Sequence, residues 1–206
     1  MPQPLRQTFF ARDTLTVAKE LVGCVLQVTG LDGGEVSGRI VEVEAYQGEG
    51  DPASHAGRGR TPRSEIMFGP PGYAYVYIIY GMHHCLNFVT ETEGTAGAVL
   101  VRALEPLSGI ELMAAQRGLD PATARDRDLT GGPGKLCQAL GVDRAWNGLP
   151  LVSDIPGPGK TVPGRIRLLL GEGPPGGPSA TGRIGIRQAT DRLYRFVDPG
   201  SGCLSA

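Results

Sequence analysis

Cysteine is scarce, lysine nearly missing and no apolar run is long. The four cysteines (Cys24, Cys85, Cys137, Cys203) lie far apart and form no C-x-x-C pair, which speaks against a disulfide framework or a thiolate zinc site. The three histidines are His55 and the adjacent His83 and His84. Neighbours on a strand point apart, and no acidic or thiol ligand stands at a useful spacing, so no metal site is expected. The longest apolar stretch, Tyr73 to Met82, falls far short of the ~20 residues that span a bilayer. Met1-Pro2-Gln3-Pro4-Leu5-Arg6 leads into no apolar run of the secretory kind. The expectation is a soluble cytoplasmic chain with no membrane segment. Neither sign of charge dominates: 20 basic and 21 acidic residues leave a net charge of −1, which excludes a polycation that coats nucleic acid along its whole surface.

Motifs are missing too. There is no G-x-S-x-G elbow of a serine hydrolase and no H-x-E with P-C-x-x-C of a zinc deaminase. Gly157-Pro158-Gly159-Lys160-Thr161 ends like a P-loop, but Asp154 stands where that motif needs glycine.

What remains is a 206-residue chain with 40% hydrophobic residues, enough for one domain with a real core. Glycine (32) and proline (17) predict many loops. Residues 41–130 hold 7 basic and 12 acidic groups, whereas 160–206 hold 7 basic and 3 acidic. Arginine outnumbers lysine 17 to 3, which suits phosphate recognition and is also what an arginine-biased genome produces.

Periodicity predicts a short helix over 14–22, with Val17, Ala18, Leu21 and Val22 on one stripe, then a strand over 24–29 and a turn at 30–34. The next strand, 39–46, alternates: Val41, Val43 and Ala45 fall on one side and Ile40, Glu42, Glu44 and Tyr46 on the other. Residues 47–72 read as a long ordered loop. Strands over 73–79 and 85–89 form a hairpin with Tyr80-Gly81-Met82-His83 at its tip. A strand over 97–104, helices over 107–117 and 132–140, and short strands over 149–152, 165–170, 183–186 and 194–197 follow, with a mobile Gly/Pro-rich loop at 171–182. The fold class expected is α+β. It is a single domain, 1–206, with a curved, mostly antiparallel sheet, a protruding β-hairpin, flanking short helices, and Gly/Pro-rich loops at 47–72 and 156–182.

Five features could carry chemistry. The Glu42-x-Glu44-x-Tyr46 side of its strand is not aliphatic, so it faces water, a cleft or a partner; a carboxylate in a cleft can serve as a general base. Tyr73, Tyr75, Tyr77 and Tyr80 are four of the six tyrosines. The first three share a face, either as a core ladder or as a pocket wall. Tyr80, out of phase at a hairpin tip beside Met82, reads as a wedge that could enter a base step. Arg58, Arg60 and Arg63, spaced by glycines near His55, could approach a phosphodiester backbone. Arg102 sits inside an apolar strand and needs Glu42, Glu44 or Glu105 as partner. Gly131-Gly132-Pro133-Gly134-Lys135 is either a phosphate cradle or a plain helix entry.

The residues Gly38 to Tyr46, Asp51 to His55, Arg60 to Arg63, Met67-Phe68, Tyr75 to Met82, Asn87, Val101 to Pro106 and Gly132 to Leu136, in that order, resemble the alkyladenine (3-methyladenine) DNA glycosylase family. The resemblance runs from about residue 10 to about residue 200. It implies a monofunctional base-excision glycosylase acting on double-stranded DNA that holds a damaged purine (3-methyladenine, 7-methylguanine, hypoxanthine or ethenoadenine class). It implies no cofactor, no metal and a monomer. By the same resemblance Glu44 is the general base that activates water, and Arg102 positions that water and carboxylate. Tyr46 and Tyr77 stack on the flipped base, His55 closes the pocket with support from Tyr75, and Asn87 lines the floor against a 2-amino group. Tyr80 is the wedge with Met82 beside it, and Arg60, Arg63 and Lys135 touch phosphates. Lys19, Lys135 and Lys160 are the only lysines that could form a Schiff base, and none is expected on the pocket face. Two other readings compete. A non-catalytic damaged-DNA-binding module has no need of Glu44 and Arg102, and a small-molecule nucleoside hydrolase or acyltransferase has no need of Tyr80 and the arginine loop.

Overall fold

The computed structural model describes residues 3–30, 32–155, 157 and 163–205. The P-loop-like Lys160-Thr161 lies outside them, as does Lys160 as a candidate amine.

The helices are short because their apolar stripes are short. Thr14–Leu21 (α2) follows a four-residue turn of helix at Gln7–Phe10 (α1) and buries Val17, Ala18 and Leu21. Asp13 caps it by accepting the Thr16 N–H at 2.9 Å. Ile110–Arg117 (α3), Asp126–Thr130 (α4) and Pro133–Ala139 (α5) pack together against one side of the sheet, and α5 carries proline at its first position. Single 3₁₀ turns stand at Glu65–Phe68 and Arg144–Trp146.

The strands are Val25–Gly30 (β1), Glu35–Gln47 (β2), Ala74–Ile79 (β3), His83–Val89 (β4), Gly97–Ser108 (β5), Gly164–Leu169 (β6), Ser179–Thr181 (β7) and Arg195–Val197 (β8). All pairings are antiparallel, in the order β3-β4-β5-β2-β1-β6, with β8 joining β2 and β7 joining β8. The sheet curls into a half-barrel, and the α+β expectation of a curved antiparallel sheet with flanking short helices holds.

β2 organises the molecule. β5 lies along one edge of it from Ser37 to Gln47. The other edge is shared: β1 covers residues 35–39 and β8 covers 42–44. A bulge marks the changeover. Ile40 opposes Leu104 and Glu42 opposes Ala103, with Val41 left over between them. The extra residue swaps two side chains relative to strict alternation. Ile40 joins Val43 and Ala45 in the main core, while Val41 packs with Ala103 and Cys203 on the other side. Both faces of β2 end up buried, so Glu42 faces neither water nor a partner.

Other expectations need correction. Residues 149–152 form no strand beyond a single bridge from Tyr73 to Pro150, because they run past the β3 edge as a loop, with Leu149 O accepting the Ala74 N–H. Residues 183–186 are irregular, since Arg183 and Ile184 turn inward to bond acidic side chains instead of a ladder. The 171–182 stretch contains β7, held on β8, so its last residues are sheet and not free loop. Ser108 still belongs to β5, and α3 starts only at Ile110. Tyr73 leaves the face of Tyr75 and Tyr77: it precedes β3 and packs on the main core, whereas the other two join a second cluster.

That second cluster explains why the long loop is ordered. Ala56 and Met67 from the loop pack on Tyr75, Val89, Ala96 and Ala98 from the sheet. Gly57 is needed for closure, since a Cβ there would stand 2.1 Å from the Asp51 carbonyl oxygen.

At the hairpin tip Tyr80 and Gly81 both take positive φ, 54° and 72°, and the Met82 N–H closes on Ile79 O at 3.2 Å. This is the primed-turn backbone that matches strand twist. Glycine takes it freely, but a tyrosine there is strained by about 1–2 kcal/mol. Tyr80 is also 85% exposed and Met82 70%, so no packing in the free protein offsets that strain. Tyr80→Asn should therefore stabilise the chain by about 0.5–1 kcal/mol, since asparagine tolerates this region. Chemical denaturation measures it, and a destabilised Tyr80→Asn protein contradicts the reading.

Candidate active site

Two carboxylates share one guanidinium inside the sheet. Glu42, Glu44 and Arg102 are all buried. Arg102 Nε donates to Glu42 Oε1 at 2.8 Å, and its Nη1 stands 3.2 Å from Glu44 Oε1. Glu42 is saturated. Its Oε1 also accepts from Arg195 Nε at 2.7 Å and Ser205 Oγ at 2.7 Å, and its Oε2 takes the Ser205 N–H at 2.6 Å. Burial alone would raise the Glu42 pKa, but the bonds from Arg195 and Ser205 and the charge of Arg102 overcome it and hold the carboxyl below its ordinary value. Ser205 Oγ in turn accepts from Arg102 Nε and Nη2 at 3.1 and 3.0 Å. Glu105, the third partner considered for Arg102, pairs with Arg39 instead.

Glu44 is held differently. Oε1 accepts the Ile184 N–H at 2.7 Å, and Oε2 accepts the Tyr46 hydroxyl at 2.7 Å. With the Arg102 contact Glu44 has three partners, one fewer than the about four acceptor positions a carboxylate offers. Tyr46, Arg102 and Ile184, which surround Glu44, all line a cleft of about 620 Å³. Glu44 itself is fully buried and is not among the lining residues.

The cleft wall is aromatic. Tyr46, His55, Tyr75 and Tyr77 line it, with Met67, Cys85 and Asn87. His55 Nδ1 and the Tyr75 hydroxyl are 2.9 Å apart, and the His55 ring meets Tyr77 edge to face at 4.7 Å. Burial, aided by the positive charge of Arg63, pushes the His55 pKa down to about 4, so the ring is neutral at pH 7. Burial raises the Tyr46 and Tyr77 phenols well above their ordinary values, with Glu44 adding to the shift at Tyr46. Asn87 Nδ2 donates to the Tyr75 and Cys85 carbonyls at 3.0 and 3.4 Å. Both bonds run to backbone carbonyls of the hairpin, which fixes the amide in place.

The basic residues divide. Arg63 lies over the Tyr77 ring at 5.0 Å, and Arg60 folds back on Glu65 and Phe68. Lys135 lines the cleft at the start of α5, beside Gly132, Pro133 and Gly134. The expectation that no lysine would fall on the pocket face is therefore wrong for Lys135: the α5 entry and the tip end of the hairpin at His83 meet along one wall. Tyr80 and Ile79 form the cleft's rim, and Met82 stands outside it.

Sequence reasoning missed Ile184, Arg183, Arg195 and Ser205. Each acts from far along the chain through a backbone N–H or an ion pair, and only the unpaired buried acids on β2 signalled that such partners must exist. Among the described residues, no three His, Cys, Asp or Glu side chains gather to hold a metal ion, and no helix is long and apolar enough to cross a membrane.

Comparison with known proteins gives the class first: this is a DNA glycosylase of base-excision repair. The model of the methylpurine-DNA glycosylase family matches residues 8–202, and the chain belongs to that family. A relative from Rhodopseudomonas palustris (strain HaA2) is 51% identical over 98% of this chain and 90% of its own length. One from Methanoculleus marisnigri is 47% identical over 98% of both, and one from Carboxydothermus hydrogenoformans is 46% identical over 93% of both. All three carry the name "Putative 3-methyladenine DNA glycosylase".

The His55 shift has a measurable consequence. Its folded pKa lies below the unfolded value near 6.5, so the native state holds fewer protons between the two. The contribution of neutral His55 to stability is present above about pH 6.5 and lost as pH falls toward about 4. Side-chain NMR should find the His55 midpoint near 4, and a midpoint at or above 6.5 overturns the buried, Arg63-facing placement.

Proposed function

We propose that the chain hydrolyses the N-glycosidic bond of alkylated or deaminated purines flipped out of duplex DNA, with Glu44 activating the water. The observation that carries this is the asymmetry of the two buried carboxylates. Glu42 takes four partner groups and Glu44 three, which leaves Glu44 one acceptor position, and the Glu44 partners Tyr46, Arg102 and Ile184 all line the cleft. A water held at Glu44 Oε2 meets a sugar C1′ that gains positive charge as the bond breaks, and the carboxylate both takes the proton and offsets that charge. Arg102 pairs with Glu44 and holds it in register while Glu42 and Ser205 fix Arg102.

The base would lie between Tyr46 and the His55/Tyr77 pair, with Tyr80 filling the gap it leaves. The pocket favours leaving groups that depart without a proton from protein. His55 is neutral, and the Tyr46 and Tyr77 phenols hold their protons tightly. A cationic alkylpurine leaves unaided, while a neutral base such as hypoxanthine must take its proton from solvent. The non-catalytic and small-molecule readings are less well supported: the first gives the Glu44 pocket no task, the second gives none to a strained, exposed Tyr80.

Duplexes carrying one 7-methylguanine, hypoxanthine or ethenoadenine test the proposal. The wild type should leave alkali-labile abasic sites on such duplexes. Glu44→Gln should bind them and lose at least about 10²-fold in single-turnover rate. Cutting by Glu44→Gln at the wild-type rate removes Glu44 as the base. Because Lys135 lines the cleft, borohydride is added during turnover. No trapped protein–DNA adduct is expected from a monofunctional enzyme, and an adduct lost in Lys135→Ala would make the chain a lyase.

A further inference from the structure

Arg183 is fully buried at its side chain and sits at a junction that no role above uses. Its Nη1 and Nη2 grip Asp51 Oδ2 and Oδ1, each at 2.7 Å, and Nη1 also bonds the Ala45 carbonyl at 2.9 Å. Its guanidinium carbon stands 4.7 Å from the centre of the Tyr46 ring and 5.2 Å from that of Tyr194. Nε is buried and, among the described residues, finds no acceptor. A buried ion pair is weak evidence for stability, and an orphaned donor subtracts from it. The placement of this cation therefore calls for another reason.

The neighbours supply one. Asp51 also accepts the Gln47 and Ala53 N–H groups, so it ties down the start of the loop that carries His55. The next residue, Ile184, donates its N–H to Glu44. Tyr46 lines the cleft, and Arg183 does not. The Tyr46 ring, itself part of the cleft wall, thus carries a cation from a residue outside the cleft. A cation draws on the negative face of an aromatic ring. With that electrostatic attraction already engaged, the ring holds a second cation less well, while a neutral ring stacks on it unhindered.

We propose that Arg183 is a positioning and specificity-determining residue: held by Asp51 against Tyr46, it biases the cleft toward neutral bases over cationic ones. This rests on the reading that a flipped base stacks on Tyr46. The chemistry of the pocket favours cationic leaving groups, so Arg183 acts as a counterweight that narrows the gap between the two lesion classes. Asp51 tempers the cation, and its removal should strengthen the bias.

The test compares half-saturating enzyme concentrations, in single-turnover cleavage, on duplexes with one 7-methylguanine (cationic) or one hypoxanthine (neutral). Asp51→Asn/Arg183→Gln removes both charges and keeps polar side chains. Relative to hypoxanthine, 7-methylguanine should bind about three- to tenfold better than in the wild type, the range expected of one cation–π contact. Asp51→Asn alone keeps the cation without its counter-charge and should move the ratio the opposite way. A ratio within twofold of wild type in a double variant that melts cooperatively overturns the inference, because a merely structural role lowers both lesions alike. If the double variant does not fold, Asp51→Asn decides: a ratio unchanged or shifted toward 7-methylguanine overturns it. Failure of the wild type to release either base overturns the functional reading and this inference with it, whereas release with unshifted ratios overturns this inference alone.

Discussion

One guanidinium shared between two buried carboxylates sets the terms for everything else in this molecule. Burying Glu42, Glu44 and Arg102 in a sheet is tolerable only if each charge is paired and most of its remaining hydrogen-bonding positions are filled. That demand draws in Arg195 from β8, Ser205 beyond it, and the Ile184 N–H from the segment between β7 and β8. The late part of the chain is thus fastened to β2 by charge as much as by apolar contact. The pairing is uneven, and the unevenness divides the labour: Glu42 locks the arginine, while Glu44 keeps an acceptor position next to the cleft.

Around that pair the cleft is assembled from elements of different rigidity. Tyr75, Tyr77 and Asn87 come from the β3–β4 hairpin, whose ladder fixes them. His55 comes from a loop with no ladder, and its position depends on a small apolar cluster, on the Asp51–Arg183 grip and on the Tyr75 hydroxyl. The hairpin tip carries the opposite kind of feature, a strained and exposed tyrosine that the free protein does not need.

Much of the scaffold was legible in the residues. The period-2 runs placed β1, β3, β4, β5 and the core of β2, the proline and glycine around 132–141 bracketed α5, and the alternation put Glu42, Glu44 and Tyr46 on one side of a strand. The illegible parts have physical causes. The bulge at Val41 is invisible to a periodicity count, because an extra residue in one strand looks like any other until its partner is known. The segment 183–186 has the apolar alternation of a strand, yet its N–H groups and arginine are claimed by Glu44 and Asp51. Tyr73 shares the period of Tyr75 and Tyr77 but lies before the strand that would impose it.

The sequence by itself determined which chemistry was available: two acids and a tyrosine at alternate positions, a tyrosine cluster, one arginine in an apolar strand, and a family likeness spread over most of the chain. Only the tertiary structure decided how the two acids are paired, which lysine reached the cleft, and what stands over the Tyr46 ring. The reason is range. Alternation and capping are local, fixed by the geometry of a few bonds, whereas the pairing of Glu42 with Ser205 or of Asp51 with Arg183 joins residues 163 and 132 positions apart. Such pairs are set by how the sheet curls and what must be neutralised inside it, and no local pattern in the chain encodes them.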